Sequence, residues 1–174
     1  MKKALFIIIA VFILTNLTTS DVIRIPDDAL RFRVIANSDS KLDQQIKIEV
    51  KDNLEQDIYN YLKDAKNSDE AKKIIANNIG SINNTIDQIL KKHSTDYTYH
   101  TSLGKNHFPT KEYKGVIYEE GEYDSLVVTL GSGEGCNWWC VLFPPLCLLE
   151  AEENETNEVE YQFFVKELID KYSN

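Results

Sequence analysis

The side chains best equipped for chemistry gather in Gly131–Cys147, which reads GSGEGCNWWCVLFPPLC. Cys140 and Cys147 enclose Val-Leu-Phe-Pro-Pro-Leu, and the two prolines turn the chain so that the sulfurs can meet. In an oxidising compartment that supports a disulfide, worth about 2–3 kcal/mol for so small a loop. Cys136 is then left over as a reactive thiol or an alternative partner. The pairings Cys136–Cys140 and Cys136–Cys147 stay open, and none of the three makes a CxxC redox motif. Trp138–Leu149 contains no charged residue, the pattern of a buried strand and turn. Two features argue that part of it is displayed. Pro144-Pro145 breaks any ladder, and a sharp turn rarely lies wholly inside a domain. Neighbouring strand residues also point to opposite faces, so Trp138 and Trp139 cannot both enter one core. One tryptophan is therefore a candidate interface anchor.

Other constellations carry less. Gly131, Gly133 and Gly135 suggest a phosphate cradle, but no helix start or lysine follows and Glu134 would repel the anion. Turn glycines are the better reading. Asn37-Ser38-Asp39-Ser40 can hold a ligand at the end of a strand, and plain helix capping explains the residue types equally well. His93, His100 and His107 recur every seven residues. They fall on a helix end, a strand and a loop, with no common geometry, so neither a metal site nor a cofactor is assigned. Asn83-Asn84-Thr85 and Asn154-Glu155-Thr156 match glycosylation acceptors, which matter only in a eukaryotic host.

These groups must be positioned by the surrounding elements. Leu30–Asn37 reads as a strand with Arg31 and Arg33 on one face and Phe32, Val34 and Ala36 on the other. Leu42, Ile46, Val50, Leu54, Ile58 and Leu62 then form a helical stripe, opened by Ser40 and Asp43 as an imperfect capping box. A second helix starts at Asn67-Ser68, buries Ala71, Ile75, Ile79, Ile82, Ile86 and Leu90, and ends at Lys91 and Lys92, which suits its dipole. After His93 the period falls to two. Strands are expected over Asp96–Leu103, Tyr113–Tyr118, Ser125–Leu130 and Trp138–Phe143, with a turn at Glu119-Glu120-Gly121-Glu122. An acidic loop, Ala151–Glu158, leads to a last amphipathic helix, Val159–Tyr172. The order β-α-α-β-β-β-β-α predicts a single α+β domain, a helical hairpin and a C-terminal helix packed on one face of a mixed sheet.

The chain has 174 residues. Met1-Lys2-Lys3, the apolar run Ala4–Leu14 and the small polar Thr15–Ser20 have the layout of a signal peptide, residues 1–20, leaving a domain of residues 21–174. The apolar stretch is short against the roughly 20 residues that span a bilayer, and no later segment is long enough for a stable span. Loss of Lys2 and Lys3, two of the 19 basic side chains, moves the net charge from −9 to −11. Nucleic acid and anionic lipid would be repelled by such a molecule, which is expected to diffuse freely once released.

Leu30–Gln44, LRFRVIANSDSKLDQ, and Gly133–Cys147, GEGCNWWCVLFPPLC, together resemble the stage II sporulation protein R family of endospore-forming bacteria. The family pattern falls on Arg31–Asp39 and on Asn137, Trp138, Trp139, Cys140, Pro144, Pro145, Leu146 and Cys147; Cys136 departs from it. The resemblance implies a signalling protein rather than an enzyme, exported into the space between forespore and mother cell. There it would activate the sigma-E factor processing peptidase, a membrane-embedded aspartic protease, and so trigger processing of pro-sigma-E. On this reading Arg31, Arg33, Asn37, Ser38, Asp39, Asn137, Trp138, Trp139, Pro144 and Pro145 contact the partner. The Trp138–Cys147 turn would be the anchor, oriented by Arg31, Arg33 and Asp39, with Cys140–Cys147 as the disulfide. Two alternatives stand beside it. One is a secreted thiol-dependent enzyme using Cys136 or Cys140 with a histidine; the other is a structural module binding membrane or cell wall in the spore envelope.

Overall fold

The computed structural model describes residues 23–147 and 158–172. The expected leader and its cut, most of the acidic loop and the acceptor at Asn154 lie outside the described residues. The elements run β1 (Ile23–Arg24), β2 (Leu30–Ile35), α1 (Lys41–Leu62), α2 (Ser68–Lys92), β3 (Tyr99–Phe108), β4 (Lys111–Tyr113), β5 (Val116–Tyr118), β6 (Gly121–Leu130), β7 (Asn137–Phe143) and α3 (Glu158–Tyr172). The class is α+β, and the strands form two sheets, ordered β3-β6-β2-β7 and β1-β5-β4.

Alternation along β2 builds the centre. Leu30, Phe32 and Val34 are fully buried in the main core with Leu126, Val128 and Leu130 of β6 and Cys140 and Leu142 of β7. β2 runs parallel to β6 and antiparallel to β7, which sets Arg33 opposite Trp139 and Val34 opposite Trp138. The other side of this core comes from α1, through Ile46, Val50, Leu54 and Ile58, and from α2, through Ala71, Ile75, Ile82 and Ile86. Both helices start as the sequence indicates. The Ser40 hydroxyl accepts from Asp43 N–H, and the Asn67 side chain accepts from Glu70 N–H. Leu42 departs from the expected stripe at 53% exposed. In that first turn Asp43 faces inward instead, held by hydrogen bonds that the stripe alone does not show.

Two differences come from the strand region. Tyr113–Tyr118, expected as one strand, is a hairpin of β4 and β5. Lys114 and Gly115 both have positive φ, 45° and 74°, the conformation a two-residue hairpin turn demands. The small sheet also carries its own core. Ile25, Ala29, Val116 and Tyr118 pack with Val141, Leu146, Tyr161 and Val165. Val141 alternates with Cys140 and Leu142, so β7 contributes to both cores. α3 therefore sits against the small sheet, while the helical hairpin covers the main one.

Candidate functional site

The face of the main sheet turned away from the hairpin carries the arginine row of β2. Arg31 is only 2% exposed, with its guanidinium 3.3 Å from the Tyr123 ring centre and 5.3 Å from that of Phe108. Nη2 donates to the Glu119 carbonyl at 3.4 Å, while Nε has no partner among the described residues. Burial holds its pKa below the ordinary arginine value. Arg33 lies over Trp139 at 4.3 Å, and Trp139 meets Phe108 edge to face at 5.1 Å. Arginine on aromatic faces is an attractive arrangement that also leaves π-surface and N–H groups for a partner. Trp138 turns to the other side, against Phe32 at 5.6 Å and beneath Lys51 at 5.0 Å. The two tryptophans thus face opposite ways, as strand alternation requires.

A cavity of about 380 Å³ opens here, within the usual size of a binding pocket. Asn137, Trp138, Trp139 and Cys140 of β7 form one wall, and Phe108, Pro109 and β4 form the opposite one, with Arg31 and Lys51 reaching in. Phe108, Tyr123 and the β4 residues were not singled out by sequence, because the β3–β6 register and the β4–β5 hairpin, neither readable locally, bring them here. Phe108 pairs with Gly121, and the Tyr123 ring lies 3.0 Å from where a Gly121 Cβ would be.

Asn37, Ser38 and Asp39 lie at the end of β2, engaged with the chain itself. Asn37 Nδ2 donates to Asp43 at 3.0 Å, Ser38 Oγ donates to it at 2.5 Å, and the Tyr97 hydroxyl donates at 3.0 Å. Burial raises the Asp43 pKa and these donors outweigh it, leaving the carboxyl below its ordinary range. Tyr97, buried beside that carboxylate, is pushed up. The glycine loop after β6 folds onto the same corner. Ser132 N–H donates to Asn37 Oδ1 at 2.9 Å and Ser132 Oγ donates to the Asn37 carbonyl at 2.9 Å. Gly131 has φ of 56°, and a Cβ there would overlap the Asn37 side chain. A Cβ at Gly135 would overlap the Ser38 carbonyl. The two halves of the sequence pattern therefore interlock, and the glycines allow the contact.

Cys140 and Cys147 are bonded, their Cα atoms 5.5 Å apart, and Cys136 is free and exposed. The Cys136 N–H donates to Asp39 Oδ1 at 2.7 Å, and Asp39 pushes its thiol pKa up. That direction disfavours the thiolate, the form that acts as a nucleophile. Glu55, Cys140 and Cys147 offer ligand atoms within 4.8 Å of one another, but the two sulfurs are committed to the disulfide. His93 bonds Glu49 at 2.7 Å, His107 lies between Glu120 and Glu122, and His100 stands exposed on β3. No histidine belongs to a three-ligand group among the described residues. Pro144 is buried, while Asn137, Trp138, Trp139 and Pro145 are half-buried.

Among the described residues no helix is long and apolar enough to cross a membrane. No solved structure matches this chain. Stage II sporulation protein R of Bacillus subtilis (strain 168) is 35% identical to it over 168 residues, which cover 89% of this chain and 75% of that protein. The family profile of stage II sporulation protein R matches residues 26–153. That span takes in β2, α1, α2, the glycine loop and all of β7, so the interlocked corner and the aromatic cavity lie within the matched residues. The chain belongs to the stage II sporulation protein R family.

Proposed function

We propose that this protein acts in sporulation as an exported signal that switches on a membrane-embedded aspartic protease, the sigma-E factor processing peptidase. Residues 1–20 direct its export into the space between forespore and mother cell, and the β7 face makes the contact. The observation that carries this reading is the half-exposed Arg33–Trp139 pair, backed by buried Phe108 and Arg31, an aromatic and cationic surface on the main sheet. Tryptophan and arginine at the centre of a concave patch are the residues that dominate binding energy. A protein that activates another must bind its active state more tightly, because only differential affinity shifts an equilibrium. A stacked, preformed surface serves that discrimination with little ordering cost.

The test is pro-sigma-E cleavage in a non-sporulating host that makes the protease and its substrate. This protein with its leader, the same protein without it, and neither are compared. Cleavage is expected only with the exported form. Trp139→Ala is expected to lower it at least about tenfold with little loss of stability, the scale of a binding hot spot. Trp138→Ala, which removes packing on Phe32, is expected to cost about 1–3 kcal/mol of folding stability instead. Full signalling by a folded Trp139→Ala protein would move the contact away from this face.

A further inference from the structure

β7 and β4 are both edge strands. Among the described residues β7 pairs only with β2, and β4 pairs only with β5. The two edges line the same cavity of about 380 Å³. A strand edge presents a row of backbone N–H and C=O groups that will pair with another chain. Proteins usually protect such edges with charges, yet β7 reads NWWCVLF and has none. The cavity also has a charge preference. Arg31, Lys51 and Lys111 reach it, against the single carboxylate of Glu112, in a chain of net charge −9. Lys51 is already paired with Asp52 and Glu55. Among the described residues Arg31 forms no ion pair, only Asp27 acting on it from a distance, and its Nε is buried without a partner.

We propose that this cavity is a slot for an extended peptide segment of a partner protein, added as a strand to the β7 edge, with a carboxylate of that segment received by Arg31. The proposal rests on the β7 face being the contact surface and adds the chemistry of what enters it. Strand addition takes affinity from main-chain hydrogen bonds and specificity from pockets for alternate side chains. Here those pockets exist, because Trp139 and Arg31 rise on one side of the sheet and Trp138 on the other. A guanidinium in an aromatic frame favours a carboxylate over a neutral amide, because a hydrogen bond between charged groups is roughly twice as strong as a neutral one.

The test uses the exported protein, isotope-labelled and titrated with three synthetic peptides of eight residues. The first alternates Val and Glu, the second alternates Val and Gln, and the third repeats the first with alternate amides N-methylated. The acidic peptide is expected to shift the backbone amides of residues 111–113 and 137–140, which line the cavity, and the Trp139 indole N–H. The Gln peptide should bind at least about tenfold more weakly, and the N-methylated one should lose the shifts. Arg31→Lys should reduce the preference for Glu over Gln. Should that variant fail to fold, the exposed Lys111→Glu tests the same charge preference. No shifts at millimolar acidic peptide, shifts elsewhere, or equal binding by the N-methylated peptide would overturn the proposal. So would protection, in the free protein, of the β7 amides that face away from β2, which would mean that its own residues fill the slot. A concentration-dependent dimer broken by β7 substitutions would assign the edge to a second copy and overturn it too. Cleavage lost in Trp139→Ala without peptide binding removes strand addition and leaves the contact surface standing.

Discussion

Among the described glycines, Gly131 is the one whose added Cβ would come closest to a neighbour, Asn37 Oδ1. Its φ of 56° suits glycine, and a Cβ would overlap the Asn37 amide that both caps the loop and donates to Asp43. Gly131→Ala is therefore expected to lower stability by about 2 kcal/mol or more in denaturant unfolding, from backbone strain added to the loss of the part-buried Asn37–Asp43 bond. Gly80 provides the contrast. It lies inside α2 with nothing within 4 Å of its would-be Cβ, so Gly80→Ala should stabilise by about 0.5–1 kcal/mol. Equal effects at the two sites would show that the glycine loop does not lock the corner. Capping at Ser40 and Asn67 was legible in the sequence because each cap bonds a residue three positions on. The Asn37–Ser132 contact was not, because its partners stand 95 residues apart. The residue types at Asn37-Ser38-Asp39 fit capping and ligand binding alike, and only the fold shows what they touch.

Between elements, period was readable and pairing was not. Alternation in LRFRVI separated the arginine row from the apolar row, and alternation in NWWC separated the tryptophans. Nothing local told that β2 runs parallel to β6, or that Tyr123 and Phe108 would frame Arg31. The start of α1 gives the next prediction, because three elements meet on Asp43. Its carboxyl titrates below the ordinary range in the folded chain, so it contributes stability above its unfolded pKa of about 3.9. That contribution is lost as pH falls from there through the lower folded value. Asp124, bonded to Lys72 and Lys105, and Glu49, bonded to Lys92 and His93, are lowered in the same direction. Thermal melts should therefore fall steeply below about pH 4. Asp43→Asn should melt lower at pH 7 and with a shallower acid slope, since the substituted side chain does not titrate. Parallel curves for the two proteins would mean that the hydrogen bonds to Asp43 do not distinguish its charged form.

At the scale of the whole molecule, two cores share one strand. β7 buries Cys140 and Leu142 in the main core and Val141 in the second. The cavity lies where the two sheets meet, so one of its walls depends on a core to which the main sheet contributes little. α3 is what completes that second core. Tyr161 packs on Tyr113 of β4 edge to face at 5.6 Å and shares a 2.9 Å hydroxyl contact with Tyr118 of β5, while Gln162 donates to the Lys114 carbonyl of the turn between them. None of these α3 residues lines the cavity. A chain ending at residue 157 should therefore keep the helical hairpin, whose Ile46, Val50, Ile75 and Ile82 belong to the main core. It should lose amide protection across β4 and β5, because three strands of two or three residues cannot hold together without an apolar cover. On the proposed function, cleavage of pro-sigma-E should fall with the β4 wall, although no residue of the proposed contact has been removed. Hydrogen exchange separates this from general unfolding, since protection in α1 and α2 must persist. Retained β4 and β5 protection with lost signalling would instead place α3 itself at the contact. Full signalling with β4 and β5 unprotected would show that β7 acts without its opposite wall.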